Sequence, residues 1–400
     1  MTLVQTEEQR KIITDNIENA KHVYIATSHS IHDKPEIGNQ EYFASQTLIE
    51  LLEKAGFDVV RNIAGHETGF IARKCSGKPG PTIGFLAEYD ALPGLGHACG
   101  HNIIGTTSTA AGIALAEVLA ETGGEVVVFG TPAEEGGPNG SAKASFANDG
   151  VFENVDACLM IHPSGVTAIT SNSLAVDPFD FHFYGKPAHA AASPEKGINA
   201  LDAVIQLFNG INAMRQQLPT DVRIHGIITN GGEAPNIIPE YASARFFIRA
   251  STRKRCEEVT EKVFAIAQGA ALATEAQVKI EQFQNKIDNL LLNRTFDAVV
   301  AQELEQLGEI VHENRKGIGS TDAGNVSQVV PTIHPYIKIG SDDLIAHTDD
   351  FREAARSEQG DRALIAGAKA LALTGYRLLT DKELLQNIRA EFELAKQAEA

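Results

Sequence analysis

Side chains that commonly bind metal ions recur just after predicted strands of this sequence. Cys99 and His101 occur in the segment His97-Ala98-Cys99-Gly100-His101, which follows a predicted strand at 82–87. Because they are two residues apart, both side chains would point the same way if this segment were extended. Thiolate and imidazole are natural ligands of zinc and similar metals. Taken alone, however, such a pair is more often simply buried or hydrogen-bonded.

A pair of adjacent glutamates, Glu134 and Glu135, follows the apolar segment 126–129. The carboxyl end of a strand is the usual edge for a functional site in an open α/β sheet. Adjacent side chains point in different directions, so one glutamate can bind a metal while the other faces a water molecule. Without further ligands nearby, the pair would instead indicate a solvated acidic loop.

A third strand end carries His162, which follows the apolar residues 158–161. Independent structural histidines would not be expected to recur at the same topological position. His347, in the segment 345–349, is a possible fifth ligand, although alone it would be an ordinary surface histidine. Together these residues predict metal chemistry at one edge of a sheet.

Hydrophobic periodicity predicts the elements that position these side chains. Apolar residues three and four apart predict helices at 6–28, 41–55 and 104–121. Short apolar runs predict buried strands at 82–87, 125–130 and 157–161. This order indicates an α/β domain with a mainly parallel mixed sheet flanked by helices.

The pattern changes near Ser171. Phe179, Phe181 and Phe183 alternate with polar residues, as in a strand with one solvated face. The following segments predict the order β-α-β-β-α-β, an α+β domain inserted at 173–285. Helical patterns at 296–307 and 362–373, with a strand-like segment at 332–339, indicate that the domain of residues 1–172 resumes over 286–400.

Composition restricts the classes of partner. The formal net charge is −18, with 52 acidic against 34 basic residues, which argues against nucleic acids and anionic membrane surfaces. Four dispersed cysteines fit a reducing compartment. The first residues lack a signal-peptide pattern, and no apolar run reaches membrane-spanning length. We therefore expect a cytoplasmic protein that acts on small molecules.

These segments resemble the aminoacylase and carboxypeptidase superfamily of zinc exopeptidases, in its amidohydrolase branch. The resemblance runs from Pro35-Glu36-Ile37-Gly38, through the Gly-Ser-Thr-Asp and Gly-Asn-Val-Ser segment at 319–327, to His347. That segment is most similar to the aminobenzoyl-glutamate hydrolase and dipeptidase branch. The resemblance implies that the domain formed by 1–172 and 286–400 is catalytic and that 173–285 is a lid and dimerisation domain.

The resemblance also implies the ligands of two divalent metal ions, expected to be zinc or manganese, with cobalt and nickel as alternatives. The implied ligands are Cys99, His101, Glu135, His162 and His347. Many relatives have a His-x-Asp element where this chain has Glu88-Tyr89-Asp90, so we leave Glu88 out of the ligand set and expect Asp90 to support a ligand.

Glu134 is the general base that the resemblance implies. Two cations acidify a water molecule and polarise an amide carbonyl, and Glu134 would take the proton from that water and return it to the leaving amine. A cysteine nucleophile is the competing mechanism, but a thiolate bound between two cations would be a weak nucleophile.

Three residues of the inserted domain are implied to contact the substrate. His189 would support the oxyanion, Asn236 would orient the substrate, and Arg249 would bind its carboxylate. Without the resemblance, His189 and Asn236 could be turn residues and Arg249 an exposed strand residue. In relatives the histidine often comes from the partner subunit, so we expect a homodimer.

The expected activity is hydrolysis of the amide bond in an N-acyl amino acid, a dipeptide or an aminobenzoyl-glutamate-like compound with a free carboxylate. The main alternative is a non-catalytic family member that serves as a ligand-binding or assembly module. The presence of Glu134 and of a full ligand set argues against that alternative.

Overall fold

The computed structural model of the protein describes residues 3–313 and 319–399. It divides into two compact units, Met1–Asn172 with Leu290–Ala400 and the inserted Ser173–Asn289. The two units are called unit 1 and unit 2 below. In the described part of the chain, no helix is both long enough and apolar enough to cross a membrane.

Unit 1 contains two sheets and ten helices in its described residues. Its strands are β1 (Asp58–Ile63), β2 (His66–Cys75), β3 (Thr82–Ala87), β4 (Glu125–Gly130), β5 (Ala157–Leu159), β6 (His162–Ser164), β11 (Thr332–Ile333) and β12 (Tyr336–Lys338). Its helices are α1 (Leu3–His32), α2 (Tyr42–Lys54), α3 (His101–Ala116), α4 (Leu119–Thr122), α5 (Ala142–Asn148), α8 (Arg294–Gln306), α9 (Ala323–Ser327), α10 (Asp349–Ala354), α11 (Glu358–Thr380) and α12 (Lys382–Glu399).

The main sheet of unit 1 has six strands in the order β1-β2-β4-β3-β5-β11. Strand β3 runs parallel to both β4 and β5, β11 runs parallel to β5, and the β1–β2 hairpin joins antiparallel. The predicted mainly parallel mixed sheet is therefore confirmed. Strands β6 and β12 form a separate parallel pair.

Helix α3 is the central helix of unit 1. All of its sixteen residues are buried, because α3 packs against β3 and β4 on one side and against α1 and α11 on the other. The contact with the sheet depends on a glycine, since a Cβ at Gly112 would lie 2.4 Å from Cγ2 of Val128. This close approach sets the distance between α3 and β4.

Unit 2 is an antiparallel sheet with helices on one face. Its strands β7 (Ala175–Tyr184), β8 (Arg223–Asn230), β9 (Tyr241–Ala250) and β10 (Gln277–Gln282) lie in the order β10-β7-β9-β8, and its helices are α6 (Ala200–Met214) and α7 (Arg253–Thr274). Phe181 and Phe183 are buried beneath the helices, whereas Asp180 pairs with Arg245 on the other face at 2.7 Å. The alternating pattern and the order β-α-β-β-α-β are both confirmed.

The structure differs from the predicted elements in three places. The β1–β2 hairpin was not predicted, because β1 is a mostly exposed edge strand without regular alternation. The predicted strand at 332–339 is two short strands, which pair with β5 and with β6. The sequence predicts a solvated helical tail over 381–400, whereas Leu385, Ile388 and Phe392 of α12 are buried.

Candidate metal centre

The carboxyl ends of adjacent parallel strands bring the acidic residues of unit 1 together. Glu88 and Asp90 follow β3, and Glu134 and Glu135 follow β4. His162 begins β6, three residues beyond the end of β5. Since β4, β3 and β5 are neighbours in this order, their following segments meet at one edge of the sheet.

Cys99 and His101 reach the same place through a turn rather than an extended segment. Gly100 has the left-handed φ of 78° and immediately precedes α3, which starts at His101. A Cβ at Gly100 would lie 2.8 Å from Cγ of Pro163, so the turn needs glycine for both its conformation and its space. The expectation of an extended Cys99–His101 segment is wrong, but the two side chains still converge.

His101 is held by Asp90. Its Nδ1 lies 2.8 Å from Oδ1 of Asp90, and both side chains are fully buried. With the Nδ1 proton donated to Asp90, Nε2 is the ring atom that would bind a metal ion, and metal binding would release any proton that it carries. This Nε2 is buried and makes no hydrogen bond within the described residues. Burial lowers the pKa of His101, but the nearby Asp90 and Cys99 outweigh burial and raise that pKa well above its ordinary value.

Asp90 also positions the next ligand candidate. Its second oxygen, Oδ2, accepts a hydrogen bond of 2.9 Å from the backbone N–H of Glu135. One carboxylate therefore orients a histidine ring and a glutamate backbone at the same time. The predicted supporting role of Asp90 agrees with this geometry.

His162 has a similar arrangement. Its Nδ1 lies 2.7 Å from the carbonyl oxygen of Pro163, and its Nε2 lies 3.5 Å from Sγ of Cys99. Burial lowers the pKa of His162 well below its ordinary value, so the ring is neutral, as a metal ligand must be. Burial raises the pKa of the Cys99 thiol, and a divalent cation is the usual means of deprotonating such a thiol.

His347 joins the group from a loop near the far end of the chain. Its Nε2 lies 3.4 Å from Oε1 of Glu135, and its backbone N–H donates to the carbonyl of Ala98 at 2.9 Å. The residue has a left-handed φ of 65°, which is uncommon for residues other than glycine. The contact with Glu135 raises the pKa of His347.

The five predicted ligands fit two adjacent divalent ions. Cys99, His101 and His162 form one group, and Cys99, Glu135 and His347 form another; within each group the ligand atoms lie within 4.8 Å of one another. Because both groups contain the Cys99 sulfur, they define two neighbouring metal positions. Oε1 of Glu135, like Nε2 of His101, is buried and has no hydrogen-bond partner in the described chain. Sulfur, imidazole and carboxylate are ligands that transition-metal ions accept together.

Glu134 lies beside these groups. Its Oε2 is 3.9 Å from Nε2 of His101, and it also forms a group with Glu88 and Asp322. Burial, followed by the carboxylates of Glu88, Glu135 and Asp322, raises the pKa of Glu134 well above its ordinary value. A carboxylate with a raised proton affinity in this position can act as a proton acceptor.

Sequence reasoning missed two residues that line this site. Lys143 of α5 is fully buried, and its Nζ lies 2.6 Å from Asp322 and 2.7 Å from Glu88. Glu41 is also buried and accepts a hydrogen bond from the backbone N–H of Ala133 at 2.9 Å. A lysine among small residues, Gly140-Ser141-Ala142-Lys143-Ala144, was the available signal for the first. The sequence gives no comparable signal for Glu41.

Unit 2 brings His189 and Asn236 together. The N–H of Ala190 donates to the carbonyl of Asn236 at 3.0 Å, and both predicted side chains are exposed. Nδ1 of His189 accepts hydrogen bonds from the N–H groups of Ala191 and Ala192. The ring proton of a neutral His189 is therefore on Nε2.

Arg249 lies elsewhere in unit 2. It is near the end of β9, whereas Asn236 precedes the start of β9 at Tyr241. Eight residues of extended strand separate Tyr241 and Arg249, a distance of roughly 26 Å. The Arg249 guanidinium lies 5.4 Å from the ring centre of Phe247. Within the unit 2 of a single chain, the structure thus does not bring Arg249 close to His189 and Asn236.

Comparisons with known proteins find a matching family model and similar curated proteins. Residues 178–275 match a family model described as a peptidase dimerisation domain. The chain is 37% identical to the Xaa-Arg dipeptidase of Mus musculus, over 99% of this chain and 94% of the mouse protein. It is 36% identical to a p-aminobenzoyl-glutamate hydrolase polypeptide of Escherichia coli strain K12, over 97% of this chain and 95% of the bacterial one.

Solved structures share the fold. A putative aminohydrolase from methicillin-resistant Staphylococcus aureus has a TM-score of 0.76 at 20% identity and covers 93% of this chain and 100% of its own. A dinuclear metal-binding peptidase of the M20 family from Bacillus subtilis has a TM-score of 0.66 at 19% identity, covering 90% of this chain and 99% of its own.

Proposed function

This chain belongs to the M20 peptidase family and is a hydrolase of amide bonds, and from that premise we propose that it cleaves dipeptides or N-acyl amino acids with a free carboxylate. The observation that carries the proposal is the convergence of Cys99, His101, Glu135, His162 and His347 beside Glu134. Two divalent ions held by these five residues would polarise the amide carbonyl and acidify the attacking water.

Glu134 is the proposed general base. Its carboxylate would take the proton of the attacking water and deliver it to the leaving nitrogen, which leaves poorly until it is protonated. The buried position of Glu134 among other carboxylates supports this role, because it raises the affinity of Glu134 for a proton.

His189, Asn236 and Arg249 are the proposed substrate contacts. Nε2 of His189 would donate a hydrogen bond to the developing oxyanion, and the Asn236 amide would orient the substrate. The planar guanidinium of Arg249 would bind the substrate carboxylate through two parallel hydrogen bonds. A dipeptide cannot span the roughly 26 Å between the two ends of β9. We therefore propose that one active site uses His189 and Asn236 of one chain and Arg249 of the other, in a homodimer.

The substrate we favour is a dipeptide with a basic C-terminal residue. The mouse relative is an Xaa-Arg dipeptidase, and the formal net charge of −18 attracts a cationic side chain by long-range electrostatics. The second candidate is an aminobenzoyl-glutamate-like compound, because the E. coli relative is a hydrolase of that class. Its two carboxylates would be repelled by the same net charge.

A substrate panel tests the proposal. Metal-reconstituted protein is incubated with Xaa-Arg, Xaa-Lys and Xaa-Glu dipeptides, N-acyl amino acids and p-aminobenzoyl-glutamate, and release of the amine is measured. The highest kcat/KM is expected for a basic C-terminal residue. Metal-loaded, folded protein that cleaves none of these would instead support the non-catalytic ligand-binding or assembly role.

Glu134→Gln tests the mechanism. The variant should keep the metal content of the wild type but lose roughly 10²–10⁴-fold in kcat, because only the proton acceptor is removed. Glu125→Gln, at the opposite end of β4, is the control and should keep its activity. Near wild-type turnover of Glu134→Gln would exclude Glu134 as the base.

A further inference from the structure

The buried side chain of Lys143 pairs with two carboxylates next to the candidate metal centre. The Lys143 side chain is fully buried, and its Nζ is 2.6 Å from Oδ1 of Asp322 and 2.7 Å from Oε1 of Glu88. The backbone N–H of Lys143 donates to Oδ2 of Asp322 at 3.1 Å. Lys143 and Asp322 therefore make two hydrogen bonds, which leave little freedom for either side chain.

The lysine takes up the position that a cation would fill among carboxylates. Ligand oxygens of Glu88, Glu134 and Asp322 lie within 4.8 Å of one another. Three carboxylates this close, of which Glu88 and Asp322 are buried, repel one another strongly unless a positive charge lies among them. The ammonium group of Lys143 supplies that charge by pairing with two of the three.

Glu88 is the residue whose role depends on this arrangement. It follows β3 at the position where a ligand would be expected. Its Oε2 lies 3.5 Å from Nε2 of His101, the nitrogen that faces the other candidate ligands. Glu88 is thus near enough to join the coordination of a metal bound to His101. Its other oxygen, Oε1, lies 2.7 Å from Nζ of Lys143 in an ion pair, although neither Glu88 oxygen accepts a hydrogen bond within the described residues.

We propose that Lys143 is a built-in cation of the metal centre, which holds Glu88 and Asp322 as its own partners and so keeps Glu88 out of the metal ligand set. Lys143 is then a positioning residue that acts through Glu88. This inference rests on the proposed function, since it presupposes that the five-residue set binds two metal ions.

Glu88→Gln is the first test. The substitution removes one negative charge and leaves the Lys143–Asp322 pair intact, so the one remaining positive charge of the triad still faces one negative charge. Metal content is measured after equilibrium dialysis against Mn²⁺ and against Zn²⁺. The wild type and Glu88→Gln should each hold two equivalents, whereas Glu135→Gln should hold fewer.

The possible results separate this inference from the proposed function. Two equivalents in the wild type but one in Glu88→Gln would make Glu88 a ligand and overturn the inference, while the proposed function would stand. A folded wild type that holds no divalent metal would refute the metal centre and the inference with it.

Lys143→Met/Asp322→Asn is the second test. This double variant keeps the net charge of the Lys143, Glu88 and Asp322 triad, because it removes one charge of each sign. Glu88 is then released toward His101, so metal should bind roughly tenfold tighter and kcat should fall at unchanged KM. The metal Kd is measured by competition with a chromophoric chelator.

Two controls isolate Glu88 as the cause. Asp322→Asn alone keeps the Lys143–Glu88 pair, so its metal affinity should equal that of the wild type. Adding Glu88→Gln to the double variant should abolish the tighter binding. A folded double variant with the wild-type metal Kd, or tighter binding that persists without Glu88, would overturn the proposal.

Discussion

Replacing Asp90 with asparagine tests how the proposed metal ligands His101 and Glu135 are positioned. The two oxygens of Asp90 each accept one hydrogen bond, from Nδ1 of His101 at 2.8 Å and from the N–H of Glu135 at 2.9 Å. Both partners are donors. An asparagine has one carbonyl oxygen and one NH₂ group, so at most one of the two bonds survives and the NH₂ group faces a donor.

The expected loss of metal affinity follows from these contacts. A hydrogen bond to a charged group contributes about 1.5–3 kcal/mol. Losing a partner that orients a metal-binding histidine typically reduces metal affinity by roughly 10–100-fold, which corresponds to about 1.4–2.8 kcal/mol. The two magnitudes agree, so Asp90→Asn should raise the metal Kd within this range.

Asp297→Asn is a matched control for the general effect of altering a buried carboxylate. Asp297 is buried and accepts hydrogen bonds from Thr170 and Arg294, but it belongs to none of the metal-ligand groups. Chelator competition measures metal Kd, and thermal unfolding measures stability. Both variants should be less stable, but only Asp90→Asn should bind metal more weakly. Equal metal affinities in the two variants would refute the proposed role of Asp90.

Three further predictions concern the substrate contacts and the turn before α3. Arg249→Lys should reduce kcat/KM more for free acids than for the corresponding carboxamides, because lysine lacks the planar fork; equal losses would make Arg249 structural. Glu134→Ala and His189→Ala, each inactive alone, should recover roughly a quarter of wild-type activity when co-refolded at equal concentration, since half the dimers are mixed and half their sites are intact. No recovery in dimers shown by differential tagging to be mixed would exclude a shared site. Gly100→Ala should lower stability by about 1–2 kcal/mol and weaken metal binding, because the residue has a φ of 78° and the added Cβ would lie 2.8 Å from Cγ of Pro163. Gly269→Ala in α7, where a Cβ meets nothing within 4 Å, is its control and should not lower stability in the same thermal unfolding assay.

The predicted ligands that follow strands could be found from sequence because of one topological rule. Parallel strands with helical connections present their carboxyl ends at one edge, so Glu135 and His162 were expected to meet before any contact was known. Cys99 and His101 were expected there for the wrong local reason, since Gly100 forms a turn rather than an extended segment. Both residues nevertheless lie near the other candidate ligands, because α3 starts close to the same edge of the sheet.

His347 and Lys143 show where this reasoning ends. His347 lies in a loop that does not directly follow a predicted strand, so the strand-end rule does not place it, and the sequence alone marks it only as a possible fifth ligand. Lys143 and Asp322 are brought together by the packing of α5 on α9, helices of seven and five residues. Helices this short have no periodicity to detect, and sequence alone does not relate residues 179 positions apart.

The backbone that aims Glu134 and Glu135 depends on a conformation that sequence does not indicate. Ala133, immediately before them, has a left-handed φ of 59°, which costs roughly 1–2 kcal/mol for a residue with a Cβ. The N–H of Ala133 donates to the buried carboxylate of Glu41, which also accepts from the hydroxyl of Thr68. Burial, with a smaller contribution from Asp90, raises the pKa of Glu41 to about 7. Glu41 therefore stabilises a strained turn from a distance of 92 residues, and alanine gives no sign of that turn because it rarely adopts positive φ.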